Sequence, residues 1–170
     1  MDTFFEQLVS IKKTAKTYLA LFGITIAALI LCFALMVLSK FIGAFAFLLI
    51  AGVFYGAYRL YMFFFIEYEY IITNGTMDVD KIIAKSSRKR EMSFELSNVV
   101  RLEKYNINAR PVGNFKKTVI ACNEDDSGAY FMVTSEEGSG TKLLIFTPDE
   151  RIKSAIVKFV PKHIGNSAFK

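Results

Sequence analysis

Two long apolar runs near the N-terminus constrain this chain of 170 residues more than any other feature. Residues 18–38 contain no charged side chain, and residues 41–66 contain only Arg59. A helix needs about 20 apolar residues to cross the roughly 30 Å hydrocarbon core of a bilayer. Both runs are long enough, so the sequence predicts two membrane spans that form a helical hairpin. We expect its turn at Ser39 and Lys40.

The first run is expected to stay in the protein and not to be a cleaved signal peptide. Lysines precede it, as they precede a signal peptide. The run is longer than the roughly 7–15 apolar residues of a signal-peptide core, however, and no small-residue cleavage pattern stands out. A second run follows at once.

The positive charges predict the orientation in the membrane. Lys12, Lys13 and Lys16 precede the first span, Arg59 lies in the last third of the second, and only Lys40 separates them. Lys and Arg favour the cytoplasmic side, and the long stem of Arg59 can reach that interface. Burial of Arg59 with a partner is the alternative. We expect a multi-pass protein of the plasma membrane with both termini in the cytoplasm.

The segment before the first span has apolar residues at helical spacing. They are Phe4, Phe5, Leu8, Ile11 and Ala15. Two interpretations stay open, an amphipathic helix at the headgroups and a cytoplasmic extension of the first span.

Within the second span, Gly52 and Gly56 form a GxxxG motif, which lets another helix backbone approach closely. Packing inside the hairpin is the favoured interpretation, and self-association is the alternative. Neither span contains an acid or a histidine, which argues against a transporter or channel.

The remainder of the chain has the pattern of a β domain. Asn74-Gly75 predicts a tight hairpin, because Tyr70 and Ile72 before it and Met77 and Val79 after it alternate with polar residues. Five more segments have strand character, residues 88–96, 98–105, 117–123, 129–135 and 141–147.

A helix is predicted after the last strand. Thr147 can cap it, Pro148 suits its first turn and Glu150 completes a capping box. An apolar stripe at helical spacing follows, made of Ile152, Ala155, Ile156, Phe159 and Val160. Pro161 is expected to end the helix.

This order of about seven strands and a terminal helix resembles the pleckstrin-homology (PH) fold, a strongly bent antiparallel sheet with a C-terminal helix. With the two spans before it, the chain resembles small bacterial membrane proteins that carry a PH-like domain, mostly of unknown function. The resemblance rests on EYEYIITNG at the membrane exit, on the hairpins and on LLIFTPDERIKSAIVKFVP. We expect a membrane hairpin over residues 1–66 and a mainly-β cytoplasmic domain over residues 67–170.

The most basic window of the β domain is placed at a hairpin tip. It contains Lys85, Arg88, Lys89 and Arg90. Each cation near an anionic leaflet contributes about 1 kcal/mol, so contact with anionic lipid is one interpretation. A solvated tip is the other.

An acidic face is expected on the outside of the first three predicted strands. It contains Glu67, Glu69, Asp78, Asp80, Glu91 and Glu95. Opposed like charges destabilise a sheet, so we expect Arg101 or Lys104, a basic partner or a divalent cation nearby.

Several classes of function are not expected. Cys32 and Cys122 lie far apart, His163 has no nucleophile beside it, and the acids of residues 124–126 have turn spacing. We therefore expect no metal, cofactor, catalytic residue or evident small-molecule substrate. The β domain has 16 basic and 14 acidic residues, a net charge of +2, which does not indicate a nucleic-acid partner.

The sequence therefore indicates a non-enzymatic, membrane-anchored scaffold or adaptor at the cytoplasmic face, which binds a protein partner or itself. One alternative is a module that senses anionic membrane lipids with its basic tip. Another is an accessory subunit of a membrane enzyme or transporter.

Overall fold

The structure is a computed structural model that describes residues 3–107, 111–123, 127–136 and 140–169. It divides into two compact units. The helical unit contains residues 12–66 and 83–86, and the sheet unit contains residues 1–11, 67–82 and 87–170. The acidic residues 124–126 lie outside the described ranges.

The helical unit is an antiparallel pair, α1 (Ala15–Ile42) and α2 (Phe45–Met62). Both helices are long and apolar enough to cross a membrane. The turn expected at Ser39 and Lys40 is wrong, because α1 continues through both residues. Gly43 ends the helix instead, with a φ of 63° that glycine adopts without steric cost.

The contact between α1 and α2 does not use the GxxxG motif. A Cβ atom built on Gly52 or Gly56 meets no heavy atom within 4 Å, so the favoured interpretation of packing inside the hairpin is wrong. The helices are joined by other groups, including a contact between the Thr25 and Tyr61 hydroxyls. Tyr61 Oη also donates to the Leu21 carbonyl at 3.2 Å. Self-association through the two glycines stays a prediction.

The sheet unit contains two sheets of four strands each. The first has the order β1-β2-β3-β4, made of Phe4–Ser10, Ile66–Thr73, Thr76–Ile83 and Ser87–Glu95. The second has the order β5-β7-β8-β6, made of Val99–Lys104, Tyr130–Glu136, Gly140–Phe146 and Lys117–Ala121.

All seven predicted strand segments form strands, but the expected single antiparallel sheet is wrong in two respects. The strands divide into two sheets, and β6 runs parallel to β8, with Val119 opposite Leu144. The parallel pair arises because β7 takes the place between β5 and β8 and leaves β6 on the far side of β8.

The eighth strand, β1, corrects the helix expected for the N-terminal segment. It pairs antiparallel with β2, from Phe4 opposite Thr73 to Ser10 opposite Glu67. Its side chains alternate strictly between exposed and half-buried, which is the period of a strand. The backbone groups of β2 supply the ladder partners, and these lie more than fifty residues away in sequence. Local spacing therefore could not reveal them.

The core lies where the apolar face of the β2–β3 hairpin meets the helices that follow the last strand. Tyr70, Ile72, Met77 and Val79 are buried there, as expected. The other buried members include Met92, Phe94, Leu96, Leu144, Phe146, Ile152, Ala155 and Ile156. The hairpin turn is also confirmed, because Asn74 and Gly75 both have positive φ, at 49° and 90°.

Two helices follow the last strand, α3 (Glu150–Phe159) and α4 (Lys162–Ala168). Helix α3 ends before Pro161, as expected, but its predicted cap is wrong. Asp149 is the N-cap, and its Oδ1 accepts from the Ile152 N–H at 2.8 Å. The Thr147 hydroxyl is buried, with no hydrogen-bond partner among the described residues.

The start of α3 is fixed to β1 by the side chain of Gln7. Its Nε2 donates to the Thr147 carbonyl at 2.9 Å, and its Oε1 accepts from the Asp149 N–H at 2.8 Å. The N-terminal strand therefore helps to position the C-terminal helix.

We expect Asp149→Ala to lower the free energy of unfolding by about 1 kcal/mol, the usual loss for a removed N-cap. Burial raises the pKa of Asp149, but the bonds from the Ile152 N–H and from Arg151 outweigh it and lower the pKa below 3.8. The carboxylate therefore stabilises the fold above that pH, and the penalty of the variant should shrink as the pH falls through the lowered pKa.

Urea denaturation of the full chain in detergent micelles, followed by circular dichroism, measures this loss. Thr147→Val is the matched control, since removal of an unbonded buried hydroxyl is neutral or stabilising. A larger loss for Thr147→Val than for Asp149→Ala would show that threonine is the cap.

Candidate functional site

The basic residues expected at a hairpin tip lie mostly inside a strand. Arg88, Lys89 and Arg90 belong to β4, and only Lys85 lies in the turn between β3 and β4. The arginines therefore point across the first sheet and not into a loop, where they can meet acidic residues of β2 and β3.

Both arginines form ion pairs with the acidic face. Arg88 Nη2 donates to Glu69 Oε1 at 3.0 Å and lies 2.8 Å from Oε2. Arg90 contacts Asp78 Oδ2 at 2.9 Å through Nη1 and Asp80 Oδ1 at 3.1 Å through Nε. We call these five residues the charged face.

Two expectations about this face are wrong. Glu69 and Asp80 are each only 3% exposed, so the acids do not form an open outer surface. The compensating cations are Arg88 and Arg90, whereas Arg101 pairs with Glu103 on its own strand at 2.7 Å. Sequence reasoning missed this because it assigned the two arginines to a hairpin tip, although the predicted strand segment of residues 88–96 includes both of them.

Strand β4 departs from regular alternation to make these contacts. Arg90 and Met92 would share a face of an ideal strand. Met92 lies in the core, yet Arg90 reaches Asp78 and Asp80, which alternate along β3 with core residues. The burial of β4 accordingly alternates only from Glu91 onward, and residues 87–90 are all exposed.

Glu69 has a second acidic neighbour, Glu6 of β1. Burial raises the pKa of Glu69, and a hydrogen bond with Glu6 and the charges of Glu6 and Asp80 raise it further, against the lowering effect of Arg88. The side chain of Glu69 therefore connects β2 to β1 through Glu6 and to β4 through Arg88.

The charged face is thus an internal network. Arg88 and Arg90 remain about half exposed, at 55% and 54%, but an incoming anion would compete with buried carboxylates for them. Lipid contact by Arg88, Lys89 and Arg90 stays a prediction.

The basic residues near the spans lie in the helical unit. Lys12, Lys13 and Lys16 surround the start of α1, and Arg59 lies in the last turn of α2. Lys13 Nζ is 3.7 Å from the ring centre of Phe65. The structure adds Lys85 to this unit, through the turn of residues 83–86.

A free sheet edge is the feature that sequence reasoning missed entirely. Among the described residues no strand pairs with β1 on the side away from β2. The Thr3 carbonyl accepts from the Asn74 N–H at 3.1 Å. Since the bonds of an antiparallel pair alternate, the backbone groups of Phe4, Glu6 and Leu8 point to the free edge. The sequence Phe4–Ser10 has no polar/apolar alternation that would have indicated a strand, and its helical spacing favoured a helix.

Two pockets formed by the described residues are small. A polar one of about 190 Å³ in the sheet unit is lined by Asn74, Gly75, Thr76, Glu95, Ser97 and Phe159. An apolar one of about 120 Å³ lies between α1 and α2. Both are below the roughly 300–1,000 Å³ of a typical ligand site. The described residues also contain no group of three or more side chains that could hold a metal ion.

We expect the stability of the chain to fall as the pH rises above 4.5, the ordinary pKa of a glutamate, towards the raised pKa of Glu69. A carboxyl with a raised pKa binds its proton more tightly when folded, so it stabilises the fold at low pH and loses that effect as it ionises. Glu6, Asp80 and Arg88 are the charged groups that face it. Glu69→Gln should flatten this decline in urea denaturation midpoints.

Glu103→Gln is the control, since the hydrogen bond from Arg101 outweighs burial and lowers the pKa of Glu103. Its carboxylate therefore contributes in the opposite direction. An unchanged pH profile for Glu69→Gln would contradict the raised pKa of Glu69.

Comparison with known proteins agrees with this architecture. A family model described as a bacterial PH-like domain (DUF6106) matches residues 1–166, which include β1, both apolar helices and the two sheets. No curated protein and no solved structure matched the chain. The match covers far more than half of the sequence, and the chain belongs to this family of bacterial PH-like domains.

Proposed function

We propose that the protein is a non-enzymatic adaptor, anchored in the plasma membrane by α1 and α2, whose sheet unit binds a protein partner at the cytoplasmic face. The observation that carries the proposal is the free edge of β1, with Phe4 and Leu8 exposed by 61% and 52%. An extended segment of a partner can add to such an edge through backbone hydrogen bonds, and exposed side chains give it specificity.

The anchoring rests on the surface of the two helices. Most of their apolar side chains are exposed, and only Cys32 and Ala46 are buried among their described residues. Such a surface is stable in lipid and costly in water. The basic residues at the start of α1 and the end of α2 favour the cytoplasmic side for this end of the hairpin. Both termini would then be cytoplasmic.

The other edges of the two sheets are less available than β1. Along β4, Lys117 Nζ donates to the Glu91 carbonyl and Lys142 Nζ to the Ser93 carbonyl. Helix α4 contacts β5, and the Ala121 carbonyl at the end of β6 accepts from the Tyr70 hydroxyl. Natural sheets commonly cover their edges in such ways. Helix α3 contacts β1 as well, but among the described residues no strand pairs with the outer edge of this seven-residue strand. That unpaired edge supports a binding role.

Short connections support a role at the membrane. Four residues separate β1 from α1, and three separate α2 from β2. A chain extends by at most about 3.6 Å per residue, so neither connection spans more than about 14 Å. An adaptor tied this closely would meet partners that are themselves held at the membrane.

Site-specific photo-cross-linking in native membranes tests the proposal. A photoreactive residue at Phe4 should form an adduct with a discrete protein, and one at Val157 should not. Val157 is the matched control, since it is an exposed apolar residue, 41% accessible, on α3.

A second variant separates edge pairing from general proximity. Leu8→Pro removes an N–H that points to the free edge and leaves the bonds between β1 and β2 intact. It should abolish the Phe4 adduct, while an unchanged urea midpoint confirms that the sheet is folded. An adduct that survives Leu8→Pro, or the absence of any protein adduct at Phe4, would overturn edge binding. An adduct with a second copy of the chain would identify self-association.

A further inference from the structure

We propose that Lys13, Lys16, Arg59 and Lys85 form a surface, here called the basic rim, that binds the phosphate of anionic phospholipids. The proposal rests on the membrane anchoring proposed above. It differs from the lipid contact predicted for Lys85, Arg88, Lys89 and Arg90 together, because it separates Lys85 from the other three. It assigns to Lys85 a role with the helical unit and not with the strand that follows it.

The charge of the helical unit has one sign. Residues 12–66 and 83–86 contain six basic residues and no acidic residue. Lys40 lies beside the turn between the helices, and the others belong to the opposite end of the hairpin or to the turn of residues 83–86. This end would lie at the headgroups of a leaflet if α1 and α2 span the bilayer.

Phe65 connects the turn to the start of α1. Its carbonyl accepts from the Ala84 N–H at 2.8 Å, and its ring lies 3.7 Å from Lys13 Nζ. Residues far apart in sequence are thereby brought to one place. Aromatic rings and cations in such proximity are typical of the interfacial region of membrane proteins.

The turn that carries Lys85 is strained. Ala84 and Lys85 both have a φ of 54°, and the Ser86 N–H bonds to the Ile83 carbonyl at 3.1 Å. This is the geometry that Asn-Gly adopts readily in β hairpins. For an ordinary side chain, left-handed backbone is sterically unfavourable. Strained positions persist where surrounding contacts fix them and cluster at functional sites. The bond to Phe65 is such a contact.

The cations of the basic rim have no competing acid. Among the described residues, Lys16, Arg59 and Lys85 form no ion pair, whereas Arg88 and Arg90 pair with Glu69, Asp78 and Asp80. Unpaired Lys and Arg near a leaflet are attracted to its anionic lipids. The charge of a paired Lys or Arg is already neutralised by an acid of the protein.

Native mass spectrometry of the full chain in detergent micelles tests the basic rim. Phosphatidylglycerol and phosphatidylcholine are added at equal concentration, and lipid adducts are quantified. We expect a preference for phosphatidylglycerol that falls about five-fold in Lys85→Asn, since one cation is worth about 1 kcal/mol. Asparagine tolerates positive φ, so the turn should fold. Lys85→Glu should weaken binding further, and Lys104→Glu is the control, an exposed lysine on β5.

Three outcomes are distinguishable. Equal adducts of both lipids, or equal losses for Lys85→Glu and Lys104→Glu, would overturn the basic rim. Displacement of phosphatidylglycerol by millimolar inorganic phosphate would show a site for free phosphate and would overturn the lipid assignment. Extraction of the protein from native membranes by alkaline carbonate would overturn the membrane anchoring. If the protein is retained in the membrane but shows no preference for phosphatidylglycerol, only the basic rim is overturned.

Discussion

The pairing of β1 with β2 is the constraint on which the rest of the sheet unit depends. It returns the N-terminal residues to a strand that follows the second apolar helix, so both ends of the hairpin continue into one antiparallel ladder. Gln7 then bonds to the backbone on both sides of Pro148, and Phe5 and Val9 extend the core. Without β1, the edge of β2 would be open and the segment before α3 would lose two hydrogen bonds.

The charged face shows how the first sheet accommodates acids that it buries. A buried carboxylate is costly unless it is paired or protonated, and the buried acids of the charged face each have an arginine beside them. Arg90 reaches Asp78 and Asp80, and Glu69 has both Arg88 and the carboxyl of Glu6 as neighbours. The raised pKa of Glu69 makes the stability of this arrangement depend on pH. Arg88 and Arg90, which the sequence offered for a ligand, are paired with these acids. The unpaired cations of the basic rim lie instead in the helical unit.

The two proposals therefore use different surfaces of the chain. An open strand edge offers backbone hydrogen bonds, which suit a peptide segment. Unpaired cations at the end of an apolar hairpin offer charge, which suits phosphate. The first surface belongs to the sheet unit and the second to the helical unit.

The sequence by itself determined the features that depend on neighbouring residues. Apolar length predicts α1 and α2, Asn74-Gly75 predicts its turn, and alternation predicts seven strands and their buried face, since each needs only local geometry. Tertiary structure decided the rest. The segment of β1 has helical spacing, and only the backbone of β2 selects the strand. Asp149, not Thr147, caps α3 because the β1 side chain Gln7 holds the preceding backbone. The acids and arginines of the charged face find one another across three strands, a proximity that no spacing along the chain encodes.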